Sequence, residues 1–175
     1  MAIVRRDGRT LDFELVSHPS LGLPPIDRSA GSPASAEALR TARARIGERA
    51  IAYAIEVDPS FADRYPAAAM AELRLDVDAM VGRLADAVAA DHPRGLAQWA
   101  EMVVPRFRKK RVSMDDLCLL FEGLRRAAPA AVLPEAMPIV DASIDAANAV
   151  FTWHRRLAGD ARKRHPLLDF IYKGA

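Results

Sequence analysis

His154 is the titratable residue whose position most suggests chemistry. It directly follows Trp153, and helical spacing places it on the same inward-facing stripe as Phe151. A helical histidine among aromatic residues could ligate a haem iron. More often such a residue is a core histidine hydrogen-bonded to a carbonyl or a carboxylate, and a contact to a small ligand is a third possibility. We therefore expect no cofactor, and we keep a haem-binding globin-type sensor with His154 as axial ligand as the alternative.

The aromatic side chains of the last three long helices supply the candidate ligand-binding site. We expect Trp153 to face inward and to fill the space that a haem iron beside His154 would need. The candidate ligand-binding residues are Trp99, Phe107, Phe151, Trp153 and His154.

Basic residues are concentrated near the end of a predicted helix. Five cations fall within six positions, namely Arg106, Arg108, Lys109, Lys110 and Arg111. Such a cluster is usually a solvated helix end, and an acidic protein partner is the main alternative. A net charge of +2 argues against nucleic acid, and the segment MDDLCLLFEGL lacks the donors that a recognition helix needs. We keep the five cations as candidate partner-binding residues and expect neither nucleic acid nor a membrane as partner.

The motifs of most common enzymes are missing from the sequence. It contains no GxGxxG, GxxxxGK[ST], HExxH, CxxC or GxSxG, and no glutamate precedes a histidine by three residues as di-iron bundles require. Glu72 and Asp76 have helical spacing without a histidine, so we expect a solvated face there. Cys118 is the single cysteine, and we expect it to act as a small buried hydrophobe. The sequence therefore predicts a protein that is not an enzyme.

Composition indicates one helical domain. The chain has 175 residues, of which 51% are hydrophobic, 27% charged and only 6% aromatic, a balance typical of a globular domain with high helix propensity. No apolar run approaches the length of a membrane span, and the N-terminal stretch MAIVRRDGRT carries charges where a signal peptide is apolar. We therefore expect a soluble, cytoplasmic protein.

Local signals divide the chain into three parts. Asp7-Gly8 predicts a short N-terminal β-hairpin, which a proline-rich linker follows within residues 1–31. The helical domain covers residues 32–159, and the apolar segment at residues 160–175 is expected to dock on the body or on a second subunit. About five main helices are predicted.

The helices are delimited by caps and prolines. Ser32 and Pro33 open one helix that continues to Val57, and Pro66 opens a long amphipathic helix. Asp91 is expected to cap the third helix, which should kink or end near Val104 because of Pro105. Ser113 opens the fourth, with Asp116 in a capping box. The last helix begins within residues 134–138 and runs to residue 159.

The segment LAQWAEMVVPRFRKKRVSMDDLCLLFEGLRRAA resembles the N-terminal regulatory domains of RsbR-type stress-signalling proteins. The features that carry the resemblance are Trp99 on one helix, the basic exit, Ser113-x-x-Asp116 at the next helix start, and Arg125-Arg126 at its end. It covers residues 40 to 158. The resemblance implies a non-haem, globin-like helical module that forms a homodimer and passes a signal to a partner. The predicted hairpin and the expected lack of an output domain after the module depart from that family. On this basis we expect a non-catalytic sensor that binds a signalling partner protein or a small ligand.

Overall fold

The protein folds into a bundle of helices. The computed structural model describes the backbone of residues 30–164 and the side chains as far as residue 157. Within this part of the chain every regular element is helical, which confirms the predicted all-α fold class. The α-helices are α1 (Pro33–Thr41), α2 (Arg43–Val57), α3 (Ser60–Arg64), α4 (Ala67–Ala90), α5 (Pro93–Lys109), α6 (Met114–Ala127) and α7 (Met137–Arg164).

Two predicted segments fall largely outside the described residues. The β-hairpin and its linker lie there except for residues 30 and 31, and the docking segment lies there beyond residue 164. The last helix is longer than predicted, because α7 continues past residue 159 to Arg164. None of the helices in residues 30–164 is both long and apolar enough to cross a membrane.

The first predicted helix is in fact two helices. Ser32 caps α1 as expected, since its hydroxyl accepts a hydrogen bond from the backbone N–H of Ser35 at 3.4 Å. The expectation of one continuous helix to Val57 is wrong, because the chain breaks at Ala42 between α1 and α2. The two helices need different directions, since α1 packs mainly against α4 whereas α2 packs against both α4 and α6. The Val57 side chain, predicted to be on the buried stripe, is 52% exposed.

Helix α4 lies at the centre of the bundle. Pro66 precedes its first residue as predicted, and α4 packs against α1, α2, α5 and α7. The predicted stripe is buried throughout, and Val81, Ala85 and Ala87 are buried beside it. The buried arc is therefore wider than one stripe, as expected for a helix with neighbours on several sides.

The start of α5 differs from prediction, and of the two outcomes expected at Pro105, a kink or an end, the end does not occur. Asp91 does not cap α5; it ends α4 in the left-handed region with φ 47°, and His92 precedes α5 without a side-chain cap. Pro105 does not end the helix, which continues to Lys109. Pro105 lies on the exposed side, where water can bind the carbonyl group that loses its helical partner.

Helix α6 begins as the sequence predicts. The backbone N–H of Asp116 donates to the Ser113 hydroxyl at 3.0 Å. Just before it, Arg111 takes the left-handed conformation with φ 60°, and the N–H of Val112 donates to the carbonyl of Phe107 at 3.0 Å. This bond from the third residue after the helix back into its last turn closes α5 by a Schellman-type cap.

Helices α2 and α6 approach closely at a glycine. A Cβ atom added to Gly123 would lie 2.6 Å from the backbone Cα and O atoms of Ala50. Only a residue without a Cβ atom therefore fits this contact. Gly82, inside α4, offers a contrast, since a Cβ atom there would meet nothing within 4 Å.

We predict that Gly123→Ala lowers the free energy of unfolding by at least about 2 kcal/mol, because the added methyl group must push two helix backbones apart. Chemical denaturation measures the loss. Gly82→Ala is the matched control and should be neutral or stabilising by up to about 1 kcal/mol, because alanine favours the helix. Equal effects of the two variants would contradict the close contact.

Candidate functional site

Two of the candidate ligand-binding aromatics, Trp99 and Phe151, belong to one chain of rings that Phe121 connects. Trp99 on α5 lies 6.4 Å, between ring centroids, from Phe121 on α6. Phe121 lies 5.5 Å from Phe151 on α7. Phe107 and Phe151 are fully buried, whereas Trp99 is partly exposed. Of these rings, only Trp99 can contact a ligand from the surface without the core opening.

Trp153 does not lie inside the protein. Its side chain is 57% exposed, so the expectation that it faces inward beside His154 is wrong. Two residues turn an α-helix by about 200°, which places Trp153 on the side of α7 away from the buried Phe151. Trp153 therefore belongs to a surface and not to an internal ligand site.

His154 lies at the boundary between α7 and α5. Its Nε2 atom is 2.7 Å from Oε2 of Glu101, and its side chain is 19% exposed. Its backbone carbonyl accepts a hydrogen bond from Nη2 of Arg108 at 3.2 Å. A carboxylate partner such as Glu101 is typical of a histidine with a structural role. Its hydrogen bond engages Nε2, the nitrogen that would otherwise be free to ligate iron.

The basic cluster is divided between two environments. Arg106 Nη2 and Lys110 Nζ each lie 2.7 Å from a carboxylate oxygen of Asp76, which is only 5% exposed. The solvated face predicted for Asp76 is therefore wrong, because the residue is a buried anion with two cationic partners. Lys109 and Arg111 are exposed. Arg106 is also exposed, with 62% of its side chain accessible, although it pairs with Asp76. Lys109 and Arg111 are the exposed cations of the cluster that form no ion pair with the side chains described.

A second buried carboxylate lies at the start of α6. Asp116 is 2% exposed and accepts from Nη2 of Arg64 and from the hydroxyl of Tyr65, each at 2.5 Å. Burial, and to a smaller extent the hydrogen bond with Asp116, raises the pKa of Tyr65 above its usual range. The residue pattern predicted the backbone cap at this residue but not its side-chain partners. These are Arg64 at the end of α3 and Tyr65 directly after it, 52 and 51 residues away in sequence.

We predict that Asp76→Asn lowers the free energy of unfolding by about 1–3 kcal/mol at neutral pH. The amide keeps the size of the side chain but leaves Arg106 and Lys110 without their charged acceptor. Asp78→Asn on the same helix is the control, because Asp78 pairs with the exposed Arg43 and such surface pairs contribute at most about 1 kcal/mol. Equal losses for both variants would contradict a special role for Asp76.

A cleft opens at the surface where Trp99 is exposed. It has a volume of about 490 Å³ and is formed by α1, α4 and α5, within the range of roughly 300–1,000 Å³ of small-molecule sites. Trp99 and Met102 supply large apolar surfaces, and small alanine side chains of α4 complete the floor. The polar residues that line it are Arg40, Arg83, Asp86, His92 and Gln98.

Hydrogen-bond donors exceed acceptors in this cleft. Asp86 accepts from Nη2 of Arg40 at 2.9 Å and from Nη1 of Arg83 at 3.4 Å. A guanidinium group carries five N–H donors in a planar fork, so further donors remain on both arginines. The Nε2 atom of His92 is buried and has no hydrogen-bond partner among the described residues. Buried polar atoms are nearly always paired, so the imidazole of this lining residue retains one unused hydrogen-bonding atom.

Only part of this cleft was predicted from the residue pattern. Trp99 was among the candidate residues, but His92, Arg40 and Arg83 were not. Their relationship depends on α1 crossing α4 and on α4 ending beside α5, neither of which a residue pattern reports. One feature of the sequence could have drawn attention to His92. It precedes Pro93 at a helix start, so its side chain does not belong to the apolar stripe of any helix.

Cys118 takes a semi-buried position on α6. Burial raises the pKa of its thiol, and a hydrogen bond with Thr152 opposes that increase only in part. A thiol held in its neutral form is a weak nucleophile. Its environment is compatible with the expected role as a small apolar side chain.

Comparisons with known proteins identify no relative of this chain. No family model matches it, and neither the curated proteins nor the solved structures contain a match.

We predict that the purified protein mixed with haemin develops no stoichiometric Soret band of a histidine-ligated haem. Glu101 holds Nε2 of His154, and the interior next to it is filled by Phe107, Phe121 and Phe151. A visible absorption titration measures the outcome. Haem binding at one equivalent that His154→Ala abolishes would establish the globin-sensor alternative instead.

Proposed function

We propose that this protein is a non-catalytic helical regulatory module that binds a small ligand in the α1–α4–α5 cleft, forms a homodimer and acts on a partner protein. The observation that carries the ligand is a cleft of about 490 Å³ in which Trp99 lies beside two arginines that retain hydrogen-bond donors. The resemblance to RsbR-type regulatory domains supports the module type, and the all-helical fold agrees with it. A globin-like arrangement of the helices is part of this proposal.

The chemistry of the cleft favours an amphipathic anion. Arg40 and Arg83 offer N–H donors at one end, and guanidinium groups match carboxylates in geometry. Trp99 and Met102 offer apolar surface for the body of the ligand. A carboxylic acid with a short aliphatic or aromatic body satisfies both halves of the cleft.

A binding role suits this cleft better than catalysis. Asp86 is the carboxylate among its lining residues, and two guanidinium groups already engage it. Each of its two oxygens already accepts a hydrogen bond from an arginine, so the carboxylate serves to position the guanidinium groups. The arginines are therefore placed to hold a charge and not to transfer a proton.

Two of the exposed cations at the α5–α6 turn are the proposed partner contact. Lys109 and Arg111 face solvent, while Asp76 fixes the backbone around them through Arg106 and Lys110. Such a rigid basic corner suits an acidic protein surface.

We predict that octanoate binds the cleft and changes the fluorescence of Trp99. The chain has two tryptophans, so Trp153→Phe leaves Trp99 as the single indole reporter. The neutral probe 1-octanol should bind more weakly than octanoate, because it lacks the charge that the arginines recognise. Absence of any change with either probe up to millimolar concentration would reject the cleft as a ligand site.

Calorimetry on variants then tests the contacts. Arg83→Gln should weaken octanoate about three- to tenfold without affecting octanol, since a hydrogen bond to a charged group is worth about 1.5–3 kcal/mol before solvent screening. Trp99→Ala should weaken both probes. Val57→Ala is the control, because Val57 is an exposed residue at the end of α2. This variant should bind octanoate and 1-octanol as the unchanged protein does. Equal effects of Arg83→Gln on the two probes would reject the anionic class of ligand.

A further inference from the structure

One face of α7 forms an open groove that no other described element covers. Its residues are Asp145, Asn148, Ala149, Thr152, Trp153 and Arg156, and its volume is about 380 Å³. Helical angles of 100° per residue place all six within one side of the helix. We refer to these residues as the α7 groove. The exposed Trp153 makes it an apolar surface of the kind found at interaction sites.

The residues of the α7 groove occupy positions that are symmetric about one point of the helix. Its residues form three pairs, each centred between residues 150 and 151: residues 145 with 156, 148 with 153, and 149 with 152. The outermost pair has opposite charges, Asp145 and Arg156. A helix face of this design is complementary to itself when a second copy is turned end for end, because each acid then lies opposite a base.

We propose that the α7 groove binds the α7 groove of a second copy of this chain, with the two helices antiparallel about a two-fold axis near residues 150 and 151. Asp145 of each copy then faces Arg156 of the other. Trp153 of each copy packs over the small Ala149 of the other. A parallel arrangement would instead bring like charges together at both ends, which disfavours it.

Asn148 is held at the edge of the groove by the bundle itself. Its Nδ2 atom donates to Oε1 of Glu122 at 2.8 Å, and its Oδ1 atom is buried without a partner among the described residues. In the antiparallel pair Thr152 of the second copy lies on the same side as Asn148 and covers this edge of the groove.

The charged pair is available for the contact. The side chain of Asp145 is 70% exposed although it also pairs with Arg125, and Arg125 retains Glu122 and Asp141 as partners. Arg156 is exposed and forms no ion pair with the side chains described here. Reversing either charge therefore leaves the bundle itself with its other contacts.

Sedimentation equilibrium of charge-reversed variants tests the proposal. The unchanged protein should be a dimer at tens of micromolar. Asp145→Arg and Arg156→Asp should each raise the dissociation constant at least about tenfold, which corresponds to about 1.4 kcal/mol, because two like-charged contacts replace two favourable ones. The double variant should recover the dimer. Circular dichroism establishes that each variant keeps its helices.

Mixing the two single variants gives the sharpest outcome. At equal concentrations they should form a heterodimer. The introduced arginine of one copy faces the introduced aspartate of the other at one end, and the unchanged Arg156 and Asp145 face each other at the other end. Trp153→Ala should weaken the dimer, whereas Leu75→Ala, which removes an exposed apolar side chain from α4, should not. A monomeric unchanged protein, a dimer insensitive to both reversals, or no recovery on mixing would each overturn the proposed contact.

The inference deepens the proposed homodimer but does not depend on the ligand of the cleft. Binding of octanoate with a monomeric protein would overturn the α7 contact and leave the ligand site standing. An antiparallel dimer that binds neither probe would do the reverse.

Discussion

Two buried carboxylates, those of Asp76 and Asp116, need cationic or hydroxyl partners, and this requirement determines how the middle of the chain is arranged. An unpaired buried charge costs several kcal/mol, so Asp76 and Asp116 must each attract cations or hydroxyl donors. Asp76 holds Arg106 and Lys110 from the last turn of α5, and Asp116 at the start of α6 holds Arg64 of α3. The α5–α6 turn is thereby attached on one side to α4 and on the other to α3. The orientation of α5, and with it of Trp99, follows from these attachments.

The helix boundaries that the sequence predicted correctly are those set by local chemistry. Ser32, Pro66 and Ser113 each determine a helix start through their own backbone or side chain, within a few residues. The boundaries that it missed are set by distant contacts. The break at Ala42 arises because α1 and α2 pack against different neighbours, and α5 continues through Pro105 because that residue lies on its exposed side.

The candidate site also contains features set by local chemistry and features set by contacts between residues distant in sequence. Burial of Asp76 could not be predicted from its spacing to Glu72, because the cations that neutralise it are 30 and 34 residues away in sequence. The wide apolar arc of α7 made Phe151 and Trp153 equally plausible as core residues. Only the packing of α5 and α6 against one side of α7 decides that Phe151 is buried and Trp153 is exposed. Residue patterns therefore predicted the elements better than the faces they present.

The two proposed contact surfaces are connected through the aromatic core. Trp99 lines the cleft and contacts Phe121, which in turn contacts Phe151 on α7. Phe151 lies at the centre of the α7 groove in sequence but on the opposite side of the helix. Close-packed rings resist compression, so a ligand that fixes the Trp99 indole restricts the positions open to Phe121 and Phe151. Any resulting shift of α7 would change the spacing of Asp145 and Arg156 relative to a second copy. By thermodynamic linkage the dimer must then alter ligand affinity by the same factor by which the ligand alters dimer affinity.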